Sequence, residues 1–304
     1  MIPNCPVKRS NLSTNQTSLQ HRIVRKGYFR RKSDSRFIQR FLCRTCGAQF
    51  SQSTFSPRYH QKVRRINAPL YLLLNSGVSQ NRAALILKVN PKTIYRRFMF
   101  LAKEARIAHS ARLEKIPRDS ISRFQFDDLE SSIHTKCKPV SVCLSVLPGS
   151  RFILDFQLNQ MPAKGRIAKI ARKKYGPRKD LRTRGWIRMF KKLRPFMRDH
   201  VEITSDENPH YPKHVKQHFP NAKHIRIPGA RGAITGQGEL REKRFDPMFA
   251  LNHTCAMLRA NINRLFRKTW CTSKKIERLR DHIDLYVDFH NRTLIRAYPI
   301  FGGS

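Results

Sequence analysis

The chain has 304 residues, enough for two or three domains, and an ordinary hydrophobic fraction of 39% that permits a sizeable core. Its 62 lysine and arginine residues outnumber 20 acidic residues and give a formal net charge of +42. This charge indicates a polyanionic partner, with nucleic acid expected first and an anionic membrane surface as the weaker alternative. No apolar run approaches the ~20 residues of a membrane span, and the N-terminus lacks a signal-peptide core. We therefore expect a cytoplasmic protein without membrane association, whose seven cysteines are metal ligands or buried thiols.

Residues 1–62 carry the pattern of a small zinc ribbon. A CRTCG segment forms one knuckle of a tetrahedral zinc site, because two cysteines separated by two residues can clasp one side of the ion. The partner knuckle is incomplete, since Lys8 stands where its second cysteine would be, and His21 is a candidate for the fourth ligand. A degenerate ribbon that no longer binds zinc is the alternative. The three candidate zinc ligands are Cys5, Cys43 and Cys46.

Residues 63–113 predict three helices arranged as a helix-turn-helix. Ser79 is the expected cap of the second helix, and Asn90, followed by Pro91, is the expected cap of the third. The tight turn between these two helices is typical of the motif, and its last helix would enter the major groove of DNA. A plain three-helix bundle is the alternative, but the net charge favours DNA. The predicted DNA-contacting side chains of this helix are Lys92, Thr93, Tyr95, Arg96 and Arg97.

Residues 122–304 predict a mixed five-stranded sheet of α/β (α+β) class. Three sequential strands are followed by basic helical segments, a strand, a short helix, a strand and further helices, which is the order of a ribonuclease-H-like fold. In that fold the first and fourth strands lie side by side, so Asp127 and Asp206 at their ends should meet. The predicted strands are residues 124–130, 139–147, 151–158, 200–207 and 222–227.

Two carboxylates brought that close repel each other and therefore need a cation. Mg²⁺, or Mn²⁺ in its place, takes hard oxygen ligands and keeps open positions for phosphate. Two such ions would activate a water or a 3′-hydroxyl and stabilise the leaving oxygen of an in-line displacement. Asp128 and Glu207 are alternatives to Asp127 and Asp206, although each points to the opposite face of its strand. Solvated strand-end acids without a metal are the plain structural interpretation.

Residues 245–275 predict one long basic helix with an apolar stripe. Asp246 is a plausible cap and Pro247 the first helical residue. Asn252 lies near its start, and Arg259 follows seven residues later on the same side of a helix. The basic residues expected to contact phosphates beyond that point are Arg264 and Lys268. Carboxylates that could complete the site if the preceding loop folds back are Glu239, Glu242 and Asp246.

The order of these motifs resembles a bacterial insertion-sequence transposase of the DDE type. The resemblance covers nearly the whole chain and is closest to zinc-ribbon, helix-turn-helix groups whose third metal-site residue can be asparagine. It is carried, in order, by CxxCGxxFS, the helix-turn-helix, FDD, SDExPxY and NHTxxxxR. No one of these motifs is decisive, but their order is fairly specific.

The resemblance implies roles for individual residues and for the whole chain. Asp127 and Asp206 would be the metal carboxylates, Asn252 the third metal-site residue, and Arg259 the basic residue that such families place after it. The implied activity is cutting and joining of double-stranded DNA at element ends and target, by a homo-oligomer on DNA and without a covalent intermediate. Asparagine contributes no charge, so one metal site should be weaker than with glutamate.

Two other functions stay open on the sequence alone. A non-catalytic DNA-binding protein derived from a transposase would explain the incomplete ribbon and the missing third acid. A zinc-dependent regulator would require residues 122–304 to form something other than a nuclease fold. The distance between Asp127 and Asp206 discriminates the regulator from the other two.

Overall fold

The computed structural model describes residues 3–7, 22–32, 34–228, 246–266 and 271–295. Chain contacts separate two compact units, Met1–Ala68 and Pro69–Ser304. Across the described ranges, no helix is both long and apolar enough to cross a bilayer. Four of the predicted site residues lie outside the described ranges, namely His21, Glu239, Glu242 and Lys268.

The first unit contains a three-stranded antiparallel sheet. Its core consists of Phe41, Cys43 and Phe50, with the two phenyl rings stacked at 5.7 Å between centroids. Gly47 closes the cysteine knuckle: its φ of 72° lies in the left-handed region, and its N–H donates to the Cys43 carbonyl at 2.8 Å. The strands, in the order β1-β2-β3, are β1 Ile23–Arg30, β2 Phe37–Cys43 and β3 Gln49–Ser51.

Three helices precede the main sheet, and their predicted caps are confirmed. The Ser79 side chain accepts a hydrogen bond from the Arg82 N–H, and Asn90 Oδ1 accepts one from the Lys92 N–H at 2.8 Å. Pro91 occupies the first turn of the third helix, where its missing N–H costs no hydrogen bond. The helices are α1 Asn67–Leu74, α2 Gln80–Ile86 and α3 Pro91–Leu113.

The main sheet is mixed and five-stranded, in the order β6-β5-β4-β7-β8. Its first three strands pair antiparallel, whereas β4 pairs parallel with β7, and β7 pairs parallel with β8. The prediction that the first and fourth strands of this region are neighbours is confirmed, and the arrangement is compatible with a ribonuclease-H-like fold. The strands are β4 Ile121–Ser132, β5 Pro139–Val146, β6 Ile153–Gln160, β7 Met197–Asp206 and β8 Lys223–Ile227.

Helices cover both faces of this sheet. On one face Phe126 packs with Trp186 of α5 and Tyr211 of α6. On the other face Leu129 and its neighbours pack against Leu251 of α7 and Ile283 of α8. The helices are α4 Ile167–Tyr175, α5 Arg182–Leu193, α6 Tyr211–His218, α7 Phe249–Asn261 and α8 Ile276–Phe289.

The prediction of one continuous helix over residues 245–275 is wrong. Helix α7 ends at Asn261, Ile262 is extended, and a short 3-10 turn follows. The Asn261 carbonyl accepts the N–H of Gly77 at 2.8 Å, so the α1–α2 turn terminates the helix. Asp246 is not the cap either, because Met248 holds that position; Asp246 Oδ1 instead accepts the Met248 N–H at 2.9 Å in a turn before the helix.

Buried carboxylates join α1 and α3 to α8. Asp288 accepts the Tyr71 hydroxyl at 2.6 Å and the Arg112 guanidinium at 2.5 Å. Asp284 accepts the Arg106 Nε–H at 2.8 Å. Because Asp288 is almost fully buried, these two donors take the place of the water it loses on folding.

We expect Asp288→Asn to lower the free energy of unfolding by about 2–4 kcal/mol, because it removes a buried charge from two hydrogen-bond donors. Urea unfolding of the full chain measures this. The matched control is Asp199→Asn, which breaks the exposed Arg194–Asp199 pair and should cost about 1 kcal/mol or less. Equal losses in the two variants would contradict a buried network at Asp288.

Candidate functional site

The register of β4 and β7 places Asp127 and Asp206 on neighbouring strands at the same level. Asp206 is the last residue of β7, whereas β4 continues to Ser132, so the prediction that Asp127 ends its strand is wrong. Gln125 of β4 pairs with Thr204 of β7. Asp127 and Asp206 each lie two residues further along their strands, so their side chains are on the same face of the sheet as those of Gln125 and Thr204. Gln125 donates to the Pro247 carbonyl at 2.7 Å and accepts the Leu251 N–H at 3.2 Å, which identifies this as the α7 face. The two predicted carboxylates therefore face the same helix.

Burial and mutual repulsion act together on Asp127. Removal from water, and then the charge of Asp206, raise its pKa from 3.8 to about 7. Two donors partly oppose this increase: the N–H of Asp128 lies 2.6 Å from Asp127 Oδ1, and the Tyr211 hydroxyl lies 3.4 Å from it. Asp206 Oδ1 accepts the N–H of Asn208 at 3.1 Å. The pair is thus a site where a cation would relieve an existing electrostatic cost.

Asp128 points to the opposite face of β4, where its carboxylate accepts three hydrogen bonds. It accepts hydrogen bonds from Ser141 Oγ at 2.6 Å, from Trp186 Nε1 at 2.9 Å and from the Tyr211 hydroxyl at 3.2 Å. Burial still raises its pKa. The Tyr211 hydroxyl therefore contacts the carboxylates on both faces of β4 and restricts the orientation of each.

Three side chains of α7 lie on one side of the helix at spacings of three and four residues, namely Asn252, Cys255 and Arg259. Asn252 is exposed, and its Nδ2 donates to Asp246 Oδ2 at 2.9 Å. Cys255, three residues later, is the member of α7 whose thiol pKa is raised to about 12 by burial and by the Asp127 charge. Sequence reasoning missed Cys255; its spacing of three from Asn252 was the available signal.

Arg259 reaches the end of β4 from the last turn of α7. Its Nη2 lies 3.5 Å from the Glu130 carbonyl, three residues beyond Asp127. The guanidinium therefore lies past the carboxylate pair, along the direction in which β4 leaves the sheet. This position agrees with the predicted shared side of Asn252 and Arg259.

A cavity of about 600 Å³ adjoins the site on the side of the strand starts. Its lining mixes charges, with Arg123 and Arg151 against Glu202 and Asp246. At its rim, Arg151 Nη1 donates to His253 Nδ1 at 2.9 Å. Burial, and then the Arg151 charge, lower the pKa of His253, which favours the neutral acceptor form. His253 therefore orders this rim and makes no contact with the carboxylate pair.

The predicted recognition helix presents only part of its expected surface. Lys92, Tyr95 and Arg96 are exposed, and Thr93 is half-buried. Arg97 is buried, unlike the other four predicted contacts of this helix. Its position, three residues after buried Ile94, puts it on the inward side of α3.

Arg264 also differs from its predicted role as a phosphate contact. Its guanidinium lies over the Phe98 ring at 5.5 Å and donates to Ser273 Oγ at 2.9 Å. Burial lowers its pKa. These contacts make Arg264 a packing residue between α3 and the segment that leads into α8.

The three predicted zinc-ligand cysteines of the first unit cluster in space. The Sγ atoms of Cys5, Cys43 and Cys46 all lie within 4.8 Å of one another, and those of Cys5 and Cys46 are 3.5 Å apart. Burial is the largest of the causes that raise the pKa of the Cys5 thiol to about 11. Three convergent sulfur atoms could hold a metal such as zinc, which would displace their protons.

We expect Cys46→Ser to remove bound zinc, because the exposed Cys46 supplies one of three clustered sulfur ligands. Elemental analysis of the purified chain should give about one zinc per wild-type chain and far less in the variant. Cys271→Ser is the control, since Cys271 is also exposed but lies outside the cluster. Equal zinc content in all three proteins would contradict the site.

We expect Asp127→Asn to stabilise the metal-free protein at pH 8. Asp127 titrates near pH 7 in the folded chain but near its ordinary 3.8 when unfolded, so stability is lost as pH rises between these values. Asparagine removes that loss, raising the free energy of unfolding by up to about 4 kcal/mol at pH 8 and little near pH 4. Thermal unfolding across this range tests it, with exposed Glu207→Gln as control. A difference that does not vary with pH would contradict the assignment.

Comparison with protein-family models and with curated proteins gives no significant match for this chain.

Proposed function

We propose that the protein is a DNA transposase, a polynucleotidyl transferase with a ribonuclease-H-like domain that depends on a divalent metal. The observation that carries the proposal is the pair of carboxylates, Asp127 and Asp206, on adjacent parallel strands. The strand order of the sheet and the net charge of +42 support it.

The carboxylate pair fits Mg²⁺ or Mn²⁺ in donor type and in charge. Within the part of the chain that the structure describes, neither Asp127 nor Asp206 forms an ion pair with a basic side chain, although Asp127 pays a penalty for burial and for its neighbour. Carboxylate oxygens are the ligands that these hard cations prefer. Asn252 would add a neutral amide oxygen to the site. Its Nδ2 donates to Asp246, so its Oδ1 is the side-chain atom left to coordinate the ion.

The divalent ion, when bound, would activate the attacking oxygen and stabilise the leaving oxygen at the scissile phosphate. The residues of the chain position these reactants. Tyr211 and the Asp128 N–H hold the Asp127 carboxylate in one orientation. Arg259, next to the end of β4, would contact a phosphate of the bound strand.

The DNA partner is double-stranded, at element ends and at the target, and we propose a homo-oligomer as the active form. Lys92, Tyr95 and Arg96 at the start of α3 are exposed and suit the major groove. The three-cysteine cluster would stabilise a zinc ribbon in the first unit. The protein would act in the cytoplasm.

A second candidate is a non-catalytic DNA-binding protein of the same architecture. It is favoured by Asn252, which is exposed, uncharged and hydrogen-bonded to Asp246, so the third side chain at the site is not an acid. This protein would bind DNA with a steep dependence on salt and cleave nothing in any divalent metal.

We expect Asp127→Asn and Asp206→Asn each to abolish Mn²⁺-dependent cleavage and strand transfer on duplex DNA carrying the element ends, because each replaces an anionic metal ligand with a neutral amide. Losses of about 10³-fold or more are expected for a residue that acts in the transition state. DNA binding should be unchanged in an electrophoretic shift assay. Glu207→Gln, an exposed neighbour of Asp206, should retain full activity. Activity that survives in both aspartate variants would refute the proposal.

The same assay separates the roles of Asn252 and Asp246. Asn252→Ala should impair strand chemistry while sparing DNA binding, because it removes the amide oxygen and its anchor. If Asn252→Ala is fully active and Asp246→Asn is inactive, Asp246 completes the site instead. Both variants fully active would leave the third position to a residue outside α7 and its preceding turn.

A further inference from the structure

The segment between β6 and β7 forms a separate concentration of positive charge. It contains α4 and α5, it is densely basic from Lys164 to Arg194, and Asp180 is its one acidic residue. The predicted DNA-binding residues, on α3 and in the sequence after α7, do not include any of it. The predicted DNA-binding residues therefore do not account for the positive charge of this segment.

Helix α4 contributes little to the core. Ala171 is its one buried side chain among nine residues. One side of the helix is exposed at positions spaced by three and four residues. We call these residues the α4 stripe: Arg166, Lys169, Ile170 and Lys173. Ile170 is 59% exposed between the three cations. Most of the helix therefore faces solvent and is available to contact another molecule.

The cations of the α4 stripe have no acidic partner among the described residues, whereas those at either end of the segment do. Lys164 Nζ lies 2.6 Å from Glu130 Oε1, and Lys192 Nζ lies 2.6 Å from Asp155 Oδ1. Arg182 is also paired, with Asp180 at 2.6 Å, so the α4 stripe is an uncompensated group of cations among paired neighbours. Its balancing negative charge therefore comes from another molecule. A regular polyanion is the simplest source of such charge.

We propose that the α4 stripe binds the phosphate backbone of double-stranded DNA beside the carboxylate pair. The inference deepens the proposed function and rests on its assignment of DNA as the partner. The anchor at Glu130 is three residues beyond Asp127, about 10 Å along an extended strand. The seven helical steps from Arg166 to Lys173 span about 10 Å, comparable with the ~12 Å width of the major groove. Arg166, the first residue of the stripe, is two residues from Lys164, so the stripe begins close to the strand that carries Asp127.

An anionic membrane surface is the competing partner for a basic helix with an apolar side chain. Helices that lie on membranes bury a broad apolar face. The exposed side of α4 offers Ile170 alone between its cations. Double-stranded DNA requires no such apolar face, because phosphate contacts dominate its affinity.

The test is a combined variant, Arg166→Gln with Lys169→Gln and Lys173→Gln, in the full chain. Its matched control, Lys115→Gln with Arg118→Gln and Arg198→Gln, removes the same charge from exposed residues at the opposite end of β4 and β7. Fluorescence anisotropy with duplex DNA of about 40 base pairs, between about 50 and 200 mM salt, gives the slope of log affinity against log salt. Thermal unfolding verifies that both variants fold, and a crosslinking residue at Ile170 provides a second measurement on an otherwise unchanged chain.

We expect the α4 variant to lower the magnitude of that slope by about two to three, roughly one for each lost phosphate contact, and the control to lower it by less than one. The residue at position 170 should crosslink to DNA. Equal slopes in the two variants, absence of the crosslink, or loss of binding to phosphatidylserine vesicles with DNA binding intact would each overturn the proposal. Loss of cleavage in the aspartate variants is a separate measurement, so the failure of one proposal is distinguishable from the failure of the other.

Discussion

Repulsion between Asp127 and Asp206 is the interaction on which the proposed chemistry depends. The two carboxylates are forced together because β4 and β7 pair in parallel, and Asp127 and Asp206 each lie two residues past the Gln125–Thr204 pair. The core packing that fixes this register keeps Asp127 partly out of water and raises its pKa to about 7. The fold therefore holds a carboxyl group with a strongly raised pKa next to a second carboxylate, as functional sites commonly do.

Alternation along β4 separates two adjacent acids into different roles. Asp127 faces α7, where the described contacts provide no basic partner, whereas Asp128 faces α5 and α6 and is held by three donors. Tyr211 touches both carboxylates. The residue that anchors the strand and the residue that carries unbalanced charge are therefore neighbours in sequence, and a single strand positions both.

Local patterns in the sequence predicted much of this fold. Contacts between elements that are distant in the chain could not be predicted from those patterns. The caps at Ser79 and Asn90 and the neighbouring strands of Asp127 and Asp206 follow from local chemistry and element order. Helix α7 kept its predicted start within a few residues, but its end depends on the Gly77 N–H, which is distant in sequence. The burial of Arg97 was missed for a similar reason, since a charged side chain in a basic helix gives no sign of which side packs inward.

Binding of Mn²⁺ to the metal-free full chain, followed by electron paramagnetic resonance, tests the central claim most directly. The account predicts saturable binding of one or two Mn²⁺ ions per chain that tightens as pH rises through about 7, when Asp127 ionises. Binding should be lost in Asp127→Asn and in Asp206→Asn, and retained in Cys46→Ser. Unchanged Mn²⁺ binding in the two aspartate variants would contradict the account.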